Sequence, residues 1–267
     1  MTAESLPLLT HPVQSPSAFT PERLMEAVRA ERELSPEPVP PVCVLDFDGD
    51  LSDHLAEQHL SSPWTSWACF HTSMRVADIA GTPCGIVPRT IGGPYAVLIA
   101  EQLWAAGAKL IVGLTSAGRV APNLPLPSIV VVNDAIRDEG TSLHYLAPAA
   151  SVRTPTIGIV EPLIAELSAV ATHVRQGRVW TTDAPYRETR QQLDYWATQD
   201  VLAVEMQAAA LFAFAQTRRA PVAVVALVSN SVGGPAARFD TGGNEFRVGV
   251  LKAIAIAATR YVEQRGP

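Results

Sequence analysis

Short apolar runs alternate along the chain with longer segments in which apolar residues recur at helical spacing. The short runs are rich in Val, Ile and Leu and have the length of buried strands. Several of the longer segments begin near Pro or end at Gly, as helices do. Strands are therefore predicted at residues 42–45, 67–75, 82–87, 109–113, 129–133, 156–159, 178–182 and 222–228. Helices are predicted at residues 21–32, 95–106, 162–176, 187–198, 202–217 and 245–263.

This alternation predicts an α/β domain whose sheet is covered by helices on both faces. The first forty residues differ from the rest, because they are rich in Pro and Ser and end in the extended sequence PEPVPP at 36–41. We predict an N-terminal arm or linker at residues 1–40, followed by one compact domain at residues 42–267.

Composition narrows the classes of function. The chain has 267 residues, of which 48% are hydrophobic, so it can bury a large core. A formal net charge of −6 opposes non-specific nucleic-acid binding, which needs a basic surface. The sequence shows neither a membrane-spanning apolar run nor a signal peptide, so we predict a cytoplasmic protein without nucleic-acid or membrane partners. Buried free thiols are predicted for Cys43, Cys69 and Cys84.

Small and polar residues collect just after four of the predicted strands, at 49–50, 115–116, 181–183 and 229–230. Ligands of open α/β sheets bind at such strand ends, so these residues are predicted to share a site. Glu205 lies in the first turn of the almost wholly apolar helix predicted at 202–217. A carboxylate in apolar surroundings needs a partner, which indicates either a binding site or a helix start that favours an acid.

Seven segments of the chain stand out as motifs: DGD at 48–50, TIGGPYAV at 90–97, LTSAG at 114–118, AIRDEGTSLHY at 135–145, TTDAPY at 181–186, VEMQAA at 204–209 and VSN at 228–230. In order and spacing they resemble the motifs of the nucleoside phosphorylase superfamily, in the branch of the uridine and purine nucleoside phosphorylases. The longer forms RDEGTS-x-HYL and TTDAPYRET indicate a divergent bacterial subgroup. The resemblance implies a single-domain three-layer α/β/α fold with a twisted mixed central sheet, assembled as a homodimer or as a hexamer of three dimers.

The same resemblance implies a phosphate site. The family's Gly-Asp turn corresponds to Gly49 and Asp50, and its hydroxyl corresponds to Thr115, with Ser116 beside it. The family's three phosphate-binding arginines fall at Asp53, Phe70 and Val112. Arginine binds phosphate through two parallel hydrogen bonds, so their loss weakens the site, and Asp53 adds repulsion. Replacements from shifted positions would be Arg75, Arg89 or Arg119.

The ribose site implied by the resemblance is the triplet Glu205, Met206 and Gln207. The family has Glu at the third position, where Gln207 can still hydrogen-bond a hydroxyl but carries no charge. Met206 is expected to pack under the sugar. Asn230 stands where purine-specific members have an Asp that contacts the base, and its amide can hydrogen-bond the base without acting as a general acid.

Four further candidates follow, and three of them have a second interpretation. Tyr186 and Arg187 correspond to family positions over the base, although Tyr186 is equally interpreted as a core aromatic residue. Asp183 either binds substrate or caps the helix that follows it. His144 is either a proton carrier, since histidine titrates near neutral pH, or a structural residue bonded to its loop.

We therefore predict an enzyme that breaks the N-glycosidic bond of a nucleoside or nucleoside-like compound, by phosphorolysis or by hydrolysis. No nucleotide-binding glycine loop and no metal-ligand spacing is present, so phosphate is the only co-substrate considered and no cofactor is predicted. One alternative is a repurposed phosphorylase fold that takes a non-nucleoside small molecule in a specialised biosynthetic pathway, which the lost arginines and Gln207 favour. The other alternative is a non-catalytic binding protein.

Overall fold

The computed structural model describes residues 6–10, 12–232 and 243–265, so residues 1–5 and 11 of the predicted arm and residues 233–242 and 266–267 of the predicted domain lie outside the described part. Its strands are β1 (Val42–Asp46), β2 (Ser62–Pro63), β3 (Arg75–Ile79), β4 (Thr82–Pro88), β5 (Leu110–Arg119), β6 (Ser128–Asp138), β7 (Ser151–Arg153), β8 (Val174–Thr182), β9 (Val201–Glu205) and β10 (Val222–Ser231). Its α-helices are α1 (Pro21–Arg32), α2 (Asp50–Glu57), α3 (Gly93–Ala105), α4 (Val160–Leu167), α5 (Arg190–Ala197), α6 (Ala208–Arg218) and α7 (Asn244–Arg265).

The strands form one mixed sheet in the order β10-β6-β8-β9-β5-β1-β4-β3-β2, with β7 paired to β6. Because β10 also pairs with β5, the strands β10, β6, β8, β9 and β5 close into a ring, and β1, β4, β3 and β2 extend from its side. β8 runs parallel to β9, whereas β5 runs antiparallel to β9. This arrangement brings the carboxyl ends of β1, β8, β9 and β10 together beside the second half of β5.

Helices cover both faces of the sheet, which confirms the predicted α/β architecture with a mixed sheet. On one face α1, α3 and α6 bury Met25, Ile99 and Phe212 in the larger core. On the other face α2, α4 and α7 bury Leu55 and Leu163 together with Ile254. Burial of fully apolar strands between two helical layers explains why the strands are apolar on both sides.

The N-terminal segment packs on the same chain. α1 begins and ends where the sequence predicts, and its Met25 and Val28 side chains are buried in the core that contains α3. After α1 the chain is extended, and the Val39 N–H donates to the Ala106 carbonyl at the end of α3 (3.2 Å). Residues 21–40 therefore form part of the domain's surface layer.

The helix predicted at 202–217 is wrong in its first part. Residues Val201–Glu205 form the buried strand β9, and α6 begins only at Ala208. A short apolar run that is buried on every side has the same composition in a strand and in a helix, so periodicity cannot separate them. The Glu-Met-Gln triplet therefore forms the turn between β9 and α6, and does not lie within a helix.

Other boundaries also differ from the prediction. Residues 114–118, predicted as a loop, belong to the ten-residue strand β5. Residues 67–74, predicted as a strand, have no regular structure, although Trp67 and Cys69 are buried and account for the apolar pattern. Residues 157–159 form a 3-10 turn, and the helix predicted to reach residue 176 ends at Leu167, because residues from Val174 onward enter β8.

Two further sequence predictions concern the cysteines and membrane-spanning segments. All three cysteines are free and buried, as predicted. Within residues 6–10, 12–232 and 243–265, the helices are too short or too polar to cross a membrane.

Candidate active site

Glu205 ends β9 and holds the following turn in place. Its Oε1 accepts a hydrogen bond from the Thr181 hydroxyl (2.6 Å), and its Oε2 accepts from the backbone N–H groups of Gln207 (2.7 Å) and Ala208 (2.9 Å). Ala208 is the first residue of α6, so the carboxylate binds amide groups that the helix leaves unpaired. Burial raises the pKa of Glu205 to about 7, against the opposing effect of these hydrogen bonds.

Gln207 and Thr115 lie next to each other, and we call the surface that they form the floor of the site. Both are buried. The Thr115 hydroxyl donates to the Ser116 carbonyl (2.8 Å) and shares this hydrogen bond with Gln207 Oε1 (3.2 Å), which also accepts from the Met206 N–H (3.2 Å). The contact follows from register, since β5 and β9 pair Gly118 with Val204 in antiparallel fashion. In the described part of the chain, nothing accepts a hydrogen bond from Gln207 Nε2, so this amide group is available to a ligand.

Asn230 and Met206 stand at the rim of this floor. Asn230 pairs with Gly118 across a bulge in β10, and both it and Met206 are partly exposed. Gly118 in turn pairs with Val204, so Asn230 lies across two strands from the Glu-Met-Gln turn. A ligand on the floor would therefore contact amide groups from two sides.

The Gly-Asp turn leads from β1 into α2, a helix that the sequence analysis did not predict. Gly49 is the residue before the helix and has a φ of +87°, in the left-handed region. The Arg89 side chain crosses directly over it, with its Cγ atom only 2.7 Å from the position that a Cβ atom at residue 49 would occupy. Both the backbone angle and the close approach therefore require glycine here.

We expect Gly49→Ala to destabilise the protein by about 2–3 kcal/mol, because it combines a strained backbone with a clash against Arg89. Gly81→Ala is the matched control, since Gly81 has a φ of +82° but no atom within 4 Å of its added Cβ. The control is expected to cost about 1 kcal/mol, from the backbone alone. Urea unfolding measures both, and equal losses would contradict the assigned clash.

Carboxylates outnumber guanidinium groups around this turn. Arg89 forms an ion pair with Asp53, and the buried Arg247 of α7 binds Asp50 with an N···O distance of 2.9 Å. Two further carboxylates lie close by, those of Asp46 and Asp48. Among the described residues, four acidic side chains therefore share two cations here, and this part of the subsite is net acidic.

Asp48 faces the opening of the subsite. It is partly exposed, and its Oδ1 accepts a hydrogen bond from the Ser116 hydroxyl (3.0 Å). Burial raises the pKa of Asp48, while Ser116 and the charge of Arg247 act in the opposite direction. Asp46 lies deeper and accepts from the backbone and the hydroxyl of Ser52, both at 2.8 Å. Burial raises the pKa of Asp46 as well.

Two of the positions at which the resemblance implies a phosphate-binding arginine have other roles in the structure. Val112 is a core residue of β5, and Phe70 lies under the guanidinium group of Arg32, whose carbon is 4.9 Å from the ring centroid. Of the three proposed replacements, Arg75 binds Ser61 and Arg119 binds the carbonyl of Leu124. Arg89 is the one that reaches the Gly49 turn, and it arrives paired with Asp53.

Four predicted site residues lie apart from this floor. His144 and Asp183 line a separate cleft of about 1040 Å³ between α3 and the N-terminal segment. Asp183 does not cap the next helix, because its Oδ2 accepts from the Gly140 N–H (2.9 Å), and Thr189 caps α5. Tyr186 is fully exposed, so its interpretation as a core residue is wrong, and the neighbouring Arg187 is exposed as well.

The sequence predictions missed two residues of the site, Asp48 and Arg247, and predicted Thr181 only as one of the strand-end residues. Asp48 lies in a quoted motif at a strand end, and its polar character there was the available signal. Arg247 could not be found in this way, because it reaches Asp50 from the C-terminal helix. Among the described residues, no group of three or more His, Cys, Asp or Glu side chains could hold a metal ion.

Comparison with known proteins agrees with this geometry. The family profile of the Phosphorylase superfamily matches residues 42–263. A uridine phosphorylase of Treponema pallidum (strain Nichols) is 28% identical over 196 residues, which cover 69% of this chain and 75% of that protein. A guanosine phosphorylase of Halorubrum lacusprofundi is 28% identical over 145 residues, which cover 53% of this chain and only 58% of that protein.

Solved structures give the same fold. A purine nucleoside phosphorylase from Toxoplasma gondii, in complex with immucillin-H, superposes with a TM-score of 0.72 at 18% identity, covering 85% of this chain and 95% of that one. A uridine phosphorylase from Vibrio fischeri ES114 gives a TM-score of 0.63 at 21% identity, covering 87% and 92%. Together with the family profile, which spans the whole sheet and most of α7, these likenesses lead to one assignment: the chain belongs to the Phosphorylase superfamily.

Proposed function

We propose that this protein cleaves the N-glycosidic bond of a nucleoside or nucleoside-like compound. The observation that carries the proposal is the contact between Thr115 and Gln207, which leaves the Gln207 Nε2 group without an acceptor among the described residues, at the floor where the strand ends meet. Membership of the Phosphorylase superfamily supports the reaction class. The names of the relatives, uridine phosphorylase and guanosine phosphorylase, support the substrate class.

In the proposed complex Gln207 Nε2 donates a hydrogen bond to a ribose hydroxyl, because Oε1 already accepts two hydrogen bonds. Met206 packs against the sugar, and the Asn230 amide bonds the leaving base. Cleavage passes through a sugar with cationic character. The carboxylates around the Gly49 turn favour that charge electrostatically, which compensates for the uncharged side chain at position 207.

We further propose that water is the nucleophile. A phosphate dianion entering the Gly49 turn would meet four carboxylates, and both nearby guanidinium groups are already paired, with Asp50 and Asp53. Water carries no charge and is not repelled. Its oxygen attacks the anomeric carbon, the electron pair of the C–N bond leaves with the base, and Asp48 accepts the proton that the water releases. The raised pKa of Asp48 supports this role.

A panel of purine and pyrimidine nucleosides tests the proposed reaction. Chromatography is expected to detect release of the free base from at least one member of the panel. If the protein releases no base, and its melting temperature shifts with no nucleoside, the reaction class is wrong and the repurposed fold is favoured. A melting shift without base release would indicate a binding protein.

We also propose that the protein is a cytoplasmic homo-oligomer, either a dimer or a hexamer. Phe70, Ile91 and Leu98 are large apolar side chains with exposed fractions of 41%, 51% and 40%. A partner subunit that covered them would remove this surface from water.

A further inference from the structure

A second cleft lies on the other side of the strand ring from the candidate active site. Its volume is about 810 Å³, and it is formed at the amino-terminal ends of β8 and β9. β8 runs from Arg175, in this cleft, to Thr181, which binds Glu205. Six residues of strand separate the two points by roughly 20 Å. None of the residues on the active-site floor lines this cleft, which we call the arginine cleft.

Three arginines line the arginine cleft and supply its positive charge. Register places Arg153 of β7 and Arg178 of β8 on either side of Asp134, across three neighbouring strands. Arg178 donates to Asp134 Oδ2 from Nε (2.8 Å) and lies 2.7 Å from it through Nη2. The Arg153 and Arg175 side chains, which also line the cleft, take part in no hydrogen bond or ion pair in the described part of the chain.

Two further acids line the arginine cleft, Glu161 and Asp200. Neither forms an ion pair with the arginines among the described residues, so the two unpaired guanidinium groups remain available to an anion. The first residues of α4, Val160 and Glu161, also line the cleft. A helix start adds partial positive charge at the same wall.

Asp134 shows what else a ligand must carry. The residue is only 5% exposed and lines the cleft, yet its Oδ1 has no hydrogen-bond partner among the residues that the structure describes. A buried carboxylate oxygen without a donor is costly, and most such atoms in folded proteins are satisfied. A ligand that satisfies it must present a hydroxyl or amino group, which a simple inorganic anion lacks.

We propose that the arginine cleft binds a small polyhydroxylated molecule that carries one anionic group. Arg153 and Arg175 bind the anionic group, and a hydroxyl group of the same molecule donates to Asp134 Oδ1. Phosphate and carboxylate both match the guanidinium fork, so sugar phosphates and sugar acids share the required chemistry. The volume of the cleft falls in the range of small-molecule sites. The proposal does not depend on the reaction at the other site.

Titration calorimetry on the full chain tests this proposal. Glucose 6-phosphate and gluconate each carry an anionic group and hydroxyl groups, and we call them the whole probes. Inorganic phosphate has only the anionic group and glucose only the hydroxyl groups, and we call these two compounds the halves. At least one whole probe is expected to bind about tenfold or more tightly than either half, because it contacts the arginines and Asp134 together. Binding of phosphate as tight as that of glucose 6-phosphate would indicate an adventitious ion only. That result, or no binding by either whole probe, would overturn the proposal.

Variants locate the binding. The double variant Arg153→Gln/Arg175→Gln is expected to weaken the binding of the whole probe about tenfold or more. The control Arg23→Gln/Arg190→Gln makes the same change of charge at exposed sites and is expected to leave the affinity unchanged. Asp134→Asn is expected to reduce the advantage of glucose 6-phosphate over phosphate, with folding checked by melting temperature. Gln207→Ala should bind the probe as the parent does. If both double variants lose affinity equally, or if Gln207→Ala loses affinity for the probe, the probe binds elsewhere and the proposed site is wrong.

Discussion

Gln207→Ala is expected to lower kcat/KM for the cleaved nucleoside by about 10²-fold. The change removes the Nε2 donor that we assign to a ribose hydroxyl, and it removes one acceptor of the Thr115 hydroxyl. Loss of a contact that holds the substrate in its reactive position typically has an effect of about 10²-fold. Because a hydrogen bond donated to a hydroxyl oxygen does not strengthen as the sugar becomes cationic, the loss should appear in KM as well as in kcat.

Two further variants sharpen this prediction. Gln191→Ala removes the same side chain from an exposed position of α5 and is expected to change kcat/KM by less than about twofold. Gln207→Glu introduces the carboxylate that the resemblance implies at this position and is expected to retain activity within about tenfold, because a carboxylate can accept a hydrogen bond from the ribose hydroxyl in place of the Nε2 contact and keeps the acceptor for Thr115. Parental activity in Gln207→Ala, with an unchanged melting temperature, would remove Gln207 from the mechanism.

Stability is expected to fall between pH 4.5 and about 7 because of Glu205. Burial raises its pKa from an ordinary value of 4.5 to about 7 in the folded protein. The folded state therefore holds this proton more tightly than the unfolded chain does. The resulting stabilisation is complete below pH 4.5 and is lost as the pH rises to about 7. The shift corresponds to roughly 3 kcal/mol of unfolding free energy.

Urea unfolding of the parent and of Glu205→Gln across this range measures the effect. The difference between the two unfolding free energies should change by roughly 3 kcal/mol from pH 4.5 to pH 7.5, to the disadvantage of the parent at the higher pH. Glu57→Gln, at an exposed position of α2, serves as the control and should show no such change. A constant difference between parent and Glu205→Gln would mean that Glu205 does not titrate in this window.

The pattern of apolar runs predicted the α/β class and most of the element positions, because burial in the sheet demands apolar strands. The prediction failed where a buried strand and a buried helix have the same apolar pattern. Val201–Glu205 is as apolar as the helix after it, so the pattern predicts a helix where the structure has a strand. The error had a chemical consequence: Glu205 was placed in a helix, whereas it ends a strand and binds the amide groups of the turn that follows.

The candidate site was predictable in its local parts only. Gly49, Thr115, Gln207 and Asn230 come from separate motifs, and the sheet brings them to one floor. The electrostatics of the subsite was not predictable, because Arg247 reaches Asp50 from α7 and Arg89 crosses Gly49 from the end of β4. Such contacts depend on tertiary packing, which leaves no periodic signal in the chain.

The identity of the nucleophile tests the central claim most directly, since the described residues around the Gly49 turn, to which the resemblance assigns phosphate, are net acidic. The reaction is run in ¹⁸O-labelled water with the best nucleoside of the panel, with and without inorganic phosphate, and the sugar product is identified by mass spectrometry. We predict free ribose that carries ¹⁸O, formed at the same rate with or without phosphate. Formation of ribose 1-phosphate, and only when phosphate is supplied, would contradict the account.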